Sequence, residues 1–285
     1  MSRRDLLGDV ERMGSLEAWL SALGVLLVAL VARVVAARLV VFPTPEDTAY
    51  YFGVARNLVE GRGLITDAVW SYQTPPLVVP RPAFEVWLPL PALLAAIPMK
   101  LLGPTFASSQ FMPIVAGSLV PVLTWRLGAD VALERGLPPG RRRVLALGAG
   151  LTAAVYLPLV LHSTLPDSTA LFTVLALGAC LLMARLAWES RGARVRDPRL
   201  LLLGVLFGLA ALTRNEVAWL GIAWILVVLA AAEEGTTAGE RFRLIAASLA
   251  QEPGRWLAVL AVGGLVPVAL LGAIRPLARP DLRRY

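Results

Sequence analysis

Apolar residues in this chain come in long unbroken runs, not in the alternating or one-sided patterns of soluble strands and helices. The runs cover about residues 16–42, 106–127, 144–161, 168–188, 200–212, 217–232 and 256–274. A further apolar stretch, 84–102, carries Pro89, Pro91 and Pro98. Runs near 20 residues have the length that crosses a hydrocarbon core. Continuity without period-two alternation excludes a β-barrel. Helices then remain as the way to satisfy the backbone in lipid. The pattern predicts an all-α, polytopic transmembrane helical bundle of about seven spans.

The most polar segment, 43–82, follows the first run. Pro43 and Pro45 stop that run. Helical periodicity resumes over 48–60, with Tyr51, Val54, Ala55 and Leu58 on one stripe. Arg56, Asn57 and Glu60 fall on the other side. This predicts a short interfacial helix in the first extracytoplasmic loop, ended by Gly61 and Gly63.

Composition sharpens the class. The chain is 57% hydrophobic and 16% charged, whereas a soluble domain carries about a quarter charged residues. Its net charge of +7 comes almost entirely from arginine, Lys100 being the single lysine. These arginines sit in short connections between apolar runs, so they read as topology signals and anionic-lipid contacts, with no nucleic acid partner. Cys180 is the one cysteine, which excludes a disulfide within the chain or a multi-thiolate metal site. The first run is long and lacks a small-residue cleavage site, so no cleavable signal peptide is expected.

Loop charge orders the runs. With the N-terminus cytoplasmic and 84–102 spanning, the connection holding Arg126, Arg135, Arg141, Arg142 and Arg143 falls outside. So does the one holding Arg191, Arg194, Arg196 and Arg199. Both placements break the positive-inside rule. If 84–102 instead enters and returns, or lies along the surface, both become cytoplasmic; its prolines suit a broken helix. The opposite orientation with every run spanning satisfies the charges almost as well. It would separate Glu46 from Asp167.

In the topology where 84–102 does not cross, one outer surface gathers Glu46, Asp47, His162 and Asp167, and Arg214 and Glu216 join them if 200–212 is a short rising helix. Acidic groups from distant parts of the sequence offer hard oxygen ligands for a divalent cation, magnesium or manganese. Alternatively, a carboxylate there deprotonates an acceptor hydroxyl. Arg214 presents a fork suited to phosphate. A phosphate-bearing lipid fits the set. Plainer roles stand beside these. Asp167, between Pro166 and Ser168, is placed to cap a helix. Arg33 and Arg38, within the first run, suit snorkelling better than pairing with a phosphate. Trp125, Trp188 and Trp256 fit an interfacial belt. Trp70, Tyr72 and Trp87 fit either sugar stacking or anchoring.

Several stretches, taken in order, resemble the GT-C superfamily of polyprenyl-phosphate-sugar glycosyltransferases. The nearest likeness is to bacterial relatives of the dolichyl-phosphate-mannose protein mannosyltransferases. EDTAYYFGVARNLVEGRG is similar to that family's first outer loop, where an Asp precedes an aromatic pair and a juxtamembrane helix. RPAFEVWLPLPALLAAIPMKLLG resembles its proline-bearing juxtamembrane segment, and STLPDSTALFTVLALGACLLMARL its second acidic locus. LFGLAALTRNEVAWL looks like its basic–acidic turn. The resemblance implies a multi-pass enzyme of the plasma membrane, the bacterial inner membrane, with a cytoplasmic N-terminus. It implies sugar transfer from a polyprenyl-phosphate donor to a hydroxyl of a protein, lipid or glycan, with inversion. Asp47 takes the place of the catalytic base, with Glu46 beside it. Arg214, Glu216, His162, Tyr50 and Tyr51 take substrate-binding places, and Asp167 that of a metal ligand. The family often has Glu directly after the catalytic Asp; here that position is Thr48 and the Glu precedes, at Glu46. Relatives are usually longer, so a single transmembrane domain with the soluble C-terminal domain absent is expected, as a compact version, a fragment or an inactive relative. Two other functions remain open: a non-catalytic membrane assembly subunit, and a transporter or flippase of an anionic lipid. The latter predicts polar groups near mid-membrane and inverted repeats.

Overall fold

A computed structural model describes residues 15–43, 46–69, 78–189, 198–230 and 253–274. The described chain is mostly helical. In order it forms α1 (Ser15–Leu39), α2 (Asp47–Val59), β1 (Ile65–Thr66), β2 (Arg81–Pro82), α3 (Leu90–Leu102), α4 (Phe106–Ser109) and α5 (Phe111–Glu134). There follow α6 (Pro139–Val155), α7 (Leu157–His162), α8 (Thr169–Glu189), α9 (Pro198–Ala211), α10 (Val217–Ala230) and α11 (Pro253–Ile274). Three stretches among the described residues are long and apolar enough to cross a membrane: Leu16–Leu39, Phe106–Glu134 and Thr169–Leu186. The 13 residues of α3 rise roughly 20 Å, short of the ~30 Å hydrocarbon core. Trp70, Tyr72, Arg191, Arg194 and Arg196, and the side chains of Trp188 and Trp256, lie outside what is described.

The chain divides into two compact units. The first holds α1, α2, nearly all of α3, α4 to α7 and the start of α8. Its core packs Val25 of α1 against Trp125 and Ala129 of α5 and Ala146 of α6. Small residues bring the backbones close: a Cβ on Gly128 would lie 3.2 Å from Ala146 Cα, and one on Gly150 2.7 Å from Trp125 Cβ. Such close approach is how helices associate where lipid removes a hydrophobic drive. Arg143 at the start of α6 reaches Glu17 at the start of α1, 3.5 Å away, so these helices begin at one end. At the other end Gln110 Nε2 donates to Val40 O, just past α1, and to Thr164 O, past α7. Val40, Gln110 and Thr164 therefore meet at this end. A smaller cluster joins Ala55 of α2 to Ala95, Ala96 and Met99 of α3.

The second unit contains the remainder of α8 with α9, α10 and α11. Ala179, Met183, Leu186, Leu200, Leu203, Trp224 and Val259 form its core. Gly204 and Gly208 of α9 face α11 so closely that a Cβ on either would sit 2.9 or 2.8 Å from Val262 or Val266.

The structure corrects four sequence-based expectations. The run 144–161 is not one span: α6 stops at Val155, Tyr156 is extended, and α7 restarts with Pro158 in its first turn. Pro158 lacks the N–H that would bond Ala154 O. Arg33 does not snorkel. It is fully buried and takes that orphaned carbonyl, with Nη1 donating to Ala154 O and Ala29 O and Nε to Ser163 Oγ, each at 3.1 Å. Gly117 makes the room, since a Cβ there would stand 1.9 Å from Ser163 Oγ and 3.1 Å from Arg33 Nε. The arginines given to one loop belong mostly to helices. Arg126 is inside α5, paired with Asp130 at the i,i+4 spacing (3.0 Å), and Arg141, Arg142 and Arg143 form the first turns of α6. Finally Asn57, expected on the polar side of α2, is buried and donates to Asp67 Oδ2 at 3.0 Å.

Arg33→Leu should destabilise the protein by roughly 1–3 kcal/mol, because Ala154 O is left buried without a donor. Pro158→Ala returns an N–H to that carbonyl. The double variant should therefore lose less than the sum of the singles. Reversible unfolding in detergent micelles measures this, and strict additivity would break the link between the two residues.

Candidate functional site

The candidate residues fall in both units. Glu46, Asp47, Tyr50, Tyr51, His162 and Asp167 belong to the first, Arg214 and Glu216 to the second.

Glu46 is exposed and precedes α2 with φ 73° and ψ −131°, a backbone region nearly reserved for glycine. Its side chain makes no capping bond, while its carbonyl accepts from Tyr50 N at 3.0 Å. Holding a glutamate there costs about 1–3 kcal/mol, and such strain collects at functional positions. Asp47 is half-buried in the first turn of α2, where the helix dipole favours a negative charge. Tyr50 and Tyr51 are buried and meet edge to face, ring centroids 5.6 Å apart. Phe52 packs α2 against Phe106 of α4, ring centroids 5.7 Å apart. Gly61 and Gly63, both at positive φ, turn the chain after α2. Leu64 O then accepts from Ala83 N at 2.9 Å.

The turn between α7 and α8 is built almost wholly from buried polar groups: Ser163, Thr164, Asp167 and Ser168. Asp167 Oδ1 accepts from Thr169 N at 2.7 Å, closing an Asx turn that starts α8. Its Oδ2 lies 3.3 Å from His162 Nδ1, whose ring is half exposed at the end of α7. Burial pushes the Asp167 carboxyl above its ordinary value; the bonds from Thr169 and His162 pull the other way without cancelling it. Gln110, through Thr164 O and Val40 O, ties this turn to the strand of chain that leads into Glu46.

In the second unit Arg214 and Glu216 pair with each other. Arg214 Nε lies 3.1 Å from Glu216 Oε1, and Nη2 contacts the same oxygen. The bond from Arg214 holds the Glu216 carboxyl below its ordinary value. Within this unit Leu90 N donates to Leu212 O at 3.0 Å, fixing the chain just before that turn. Trp87, one of the aromatics near the loop, lies in this unit and its ring is only partly exposed.

Among the described residues no group of three His, Cys, Asp or Glu side chains is arranged to hold a metal ion. Both Asp167 oxygens are already engaged, one by a backbone amide and one by His162.

Sequence reasoning overlooked Gln110 and Ser163. A glutamine at the head of an apolar run, and a serine five residues past a proline, were the signals available.

The raised carboxyl of Asp167 gives a pH dependence with a definite sign. The native state holds this proton where the unfolded chain has lost it, so the group's contribution to stability is complete below the ordinary 3.8 and falls as pH rises through the native value. Unfolding temperatures followed from about pH 3 to 7 should show wild type losing ground against Asp167→Asn; a gap that does not change with pH would refute the shift. Compared with known proteins, the chain matches no family model, no curated protein and no solved structure.

Proposed function

We propose that the protein is a multi-pass membrane glycosyltransferase that moves a sugar from a polyprenyl phosphate to an acceptor hydroxyl at the extracytoplasmic face. The observation that carries this reading is the Gln110 junction. One side chain bonds the exit of α1 and the α7–α8 turn. Glu46 and Asp47 follow that exit, and Asp167 lies in that turn, so acidic groups far apart in sequence belong to one end of the first unit. Arg135, Arg141, Arg142 and Arg143 belong to the other end, with the start of α1. By the positive-inside rule that end is cytoplasmic. The proposed arrangement has about seven spans, with α2 lying in the interface and α3 not crossing.

In the reaction, Asp47 takes the proton from the acceptor hydroxyl. The oxygen attacks the anomeric carbon from the face opposite the phosphate. The carbon–oxygen bond to phosphate breaks, and its electron pair leaves with the polyprenyl phosphate. Configuration inverts. Arg214, in the second unit, carries a guanidinium of the kind that binds phosphate, and there it is paired with Glu216. His162, half exposed and steadied by Asp167, is a further donor for a sugar or phosphate oxygen. No step is assigned to a cation.

A second reading, a carrier of anionic lipid, has one observation in its favour: Arg33 is a cation buried inside a span, and its Nη2 has no partner among the described residues. Its other donors are fixed on α1, α6 and Ser163, which suits a structural clamp better than a transport site.

Asp47→Asn should lower sugar transfer from a polyprenyl-phosphate donor, assayed in reconstituted membranes, by about 10²–10⁴-fold. Full activity in that variant would remove Asp47 from the base role. A wild-type protein that binds the donor but transfers nothing would favour the assembly-subunit function instead.

A further inference from the structure

The last turn of α1 and the start of α4 and α5 enclose a groove of about 370 Å³. Val34, Val41, Phe106 and Ile114 give it apolar walls; Arg38 and Gln110 are its polar lining. Val34 belongs to an exposed apolar face of α1, which in a membrane protein faces lipid, and Val41, also exposed, lies just past that helix. Arg38 is exposed and has no hydrogen-bond or ion-pair partner among the described residues. No carboxylate lines the groove. Its chemistry is therefore hydrocarbon along the walls and a single uncompensated guanidinium at the membrane-surface end of α1.

We infer that this groove binds one anionic glycerophospholipid, with its phosphodiester on Arg38 and an acyl chain along Val34, Val41 and Ile114. The guanidinium fork matches the two free oxygens of a phosphodiester, and a groove of this volume is within the range that small ligands occupy. A zwitterionic lipid would bring its ammonium beside Arg38 with no carboxylate to receive it. Neither Asp47 nor Asp167 lines the groove, so its occupant is a bound lipid and not a reacting one. This inference is independent of the glycosyltransferase reading. Gln110 links it to the rest of the fold: the residue that borders the lipid also ties Val40 to Thr164.

Native mass spectrometry of the full chain in detergent, with phosphatidylglycerol, phosphatidylcholine or a polyprenyl phosphate added, tests the assignment. Phosphatidylglycerol should remain as a single adduct at activation energies that strip phosphatidylcholine. Arg38→Gln should reduce that adduct about tenfold, the loss of one charge-assisted contact. Ala107→Trp, which fills the groove and keeps the charge, should reduce it as well. Unchanged thermal unfolding of both variants without added lipid separates lost binding from lost folding. If either variant unfolds, Arg38→Lys, which keeps the charge but not the fork, should retain an intermediate adduct. Equal retention of the two phospholipids, or full retention by Arg38→Gln, overturns the inference. So does displacement of phosphatidylglycerol by the polyprenyl phosphate through Arg38.

Discussion

A guanidinium buried among helices of the first unit, with no carboxylate partner among the described residues, is the constraint on which that unit depends. Arg33 is tolerable there only because acceptors are brought to it. Its own helix supplies Ala29 O, Pro158 releases Ala154 O by lacking an N–H, and Ser163 supplies a hydroxyl. Each contribution requires another. The break at Tyr156 frees the carbonyl, and the short α7 carries the chain round so that Ser163 arrives beside Arg33. Gly117 of α5 leaves the space for both. Changing any one leaves a buried polar group without its partner, a costlier condition than never having had the pair.

The same arrangement decides where chemistry can occur. Ser163 stands next to Thr164, whose carbonyl is held by Gln110, and Asp167 follows in the same turn. A turn of buried Ser, Thr and Asp would be unstable at a helix junction unless its groups were paired. Here the pairing also aims the carboxyl of Asp167 at His162 and at the amide that starts α8. The neighbouring loop uses another device: Glu46 accepts an unfavourable backbone conformation, and Asp47 begins a helix at once. The Asp167 locus is organised by its hydrogen bonds, and the Glu46 locus carries backbone strain.

Much of the fold was legible in the sequence because hydropathy and glycine punctuation report it directly. The cores of α1 and α8 coincide with the apolar runs, and α2 ends at Gly61 and Gly63 as expected. The weakness of 84–102 as a span was visible in its prolines, and α3 is indeed short. Hydropathy does not see backbone hydrogen bonding, so the run 144–161 read as continuous although Pro158 lay inside it. Nor does it reveal partners distant in sequence. Arg33 looked like a snorkelling residue because Ala154 and Ser163 cannot be recognised as its acceptors without the fold. Asn57 looked solvent-facing because its partner, Asp67, lies beyond the glycine turn.

The sequence separation in the Arg33 clamp has a consequence for biosynthesis. Ala154 and Ser163 follow Arg33 by 121 and 130 residues. When α1 first leaves the ribosome, none of its long-range acceptors has been made. The apolar length of α1 is sufficient for insertion on its own, but its guanidinium must remain in contact with water or the insertion machinery until α6 and α7 arrive. Membrane entry and final burial of this helix are thus separate events in time, and the second waits for more than a hundred further residues of translation.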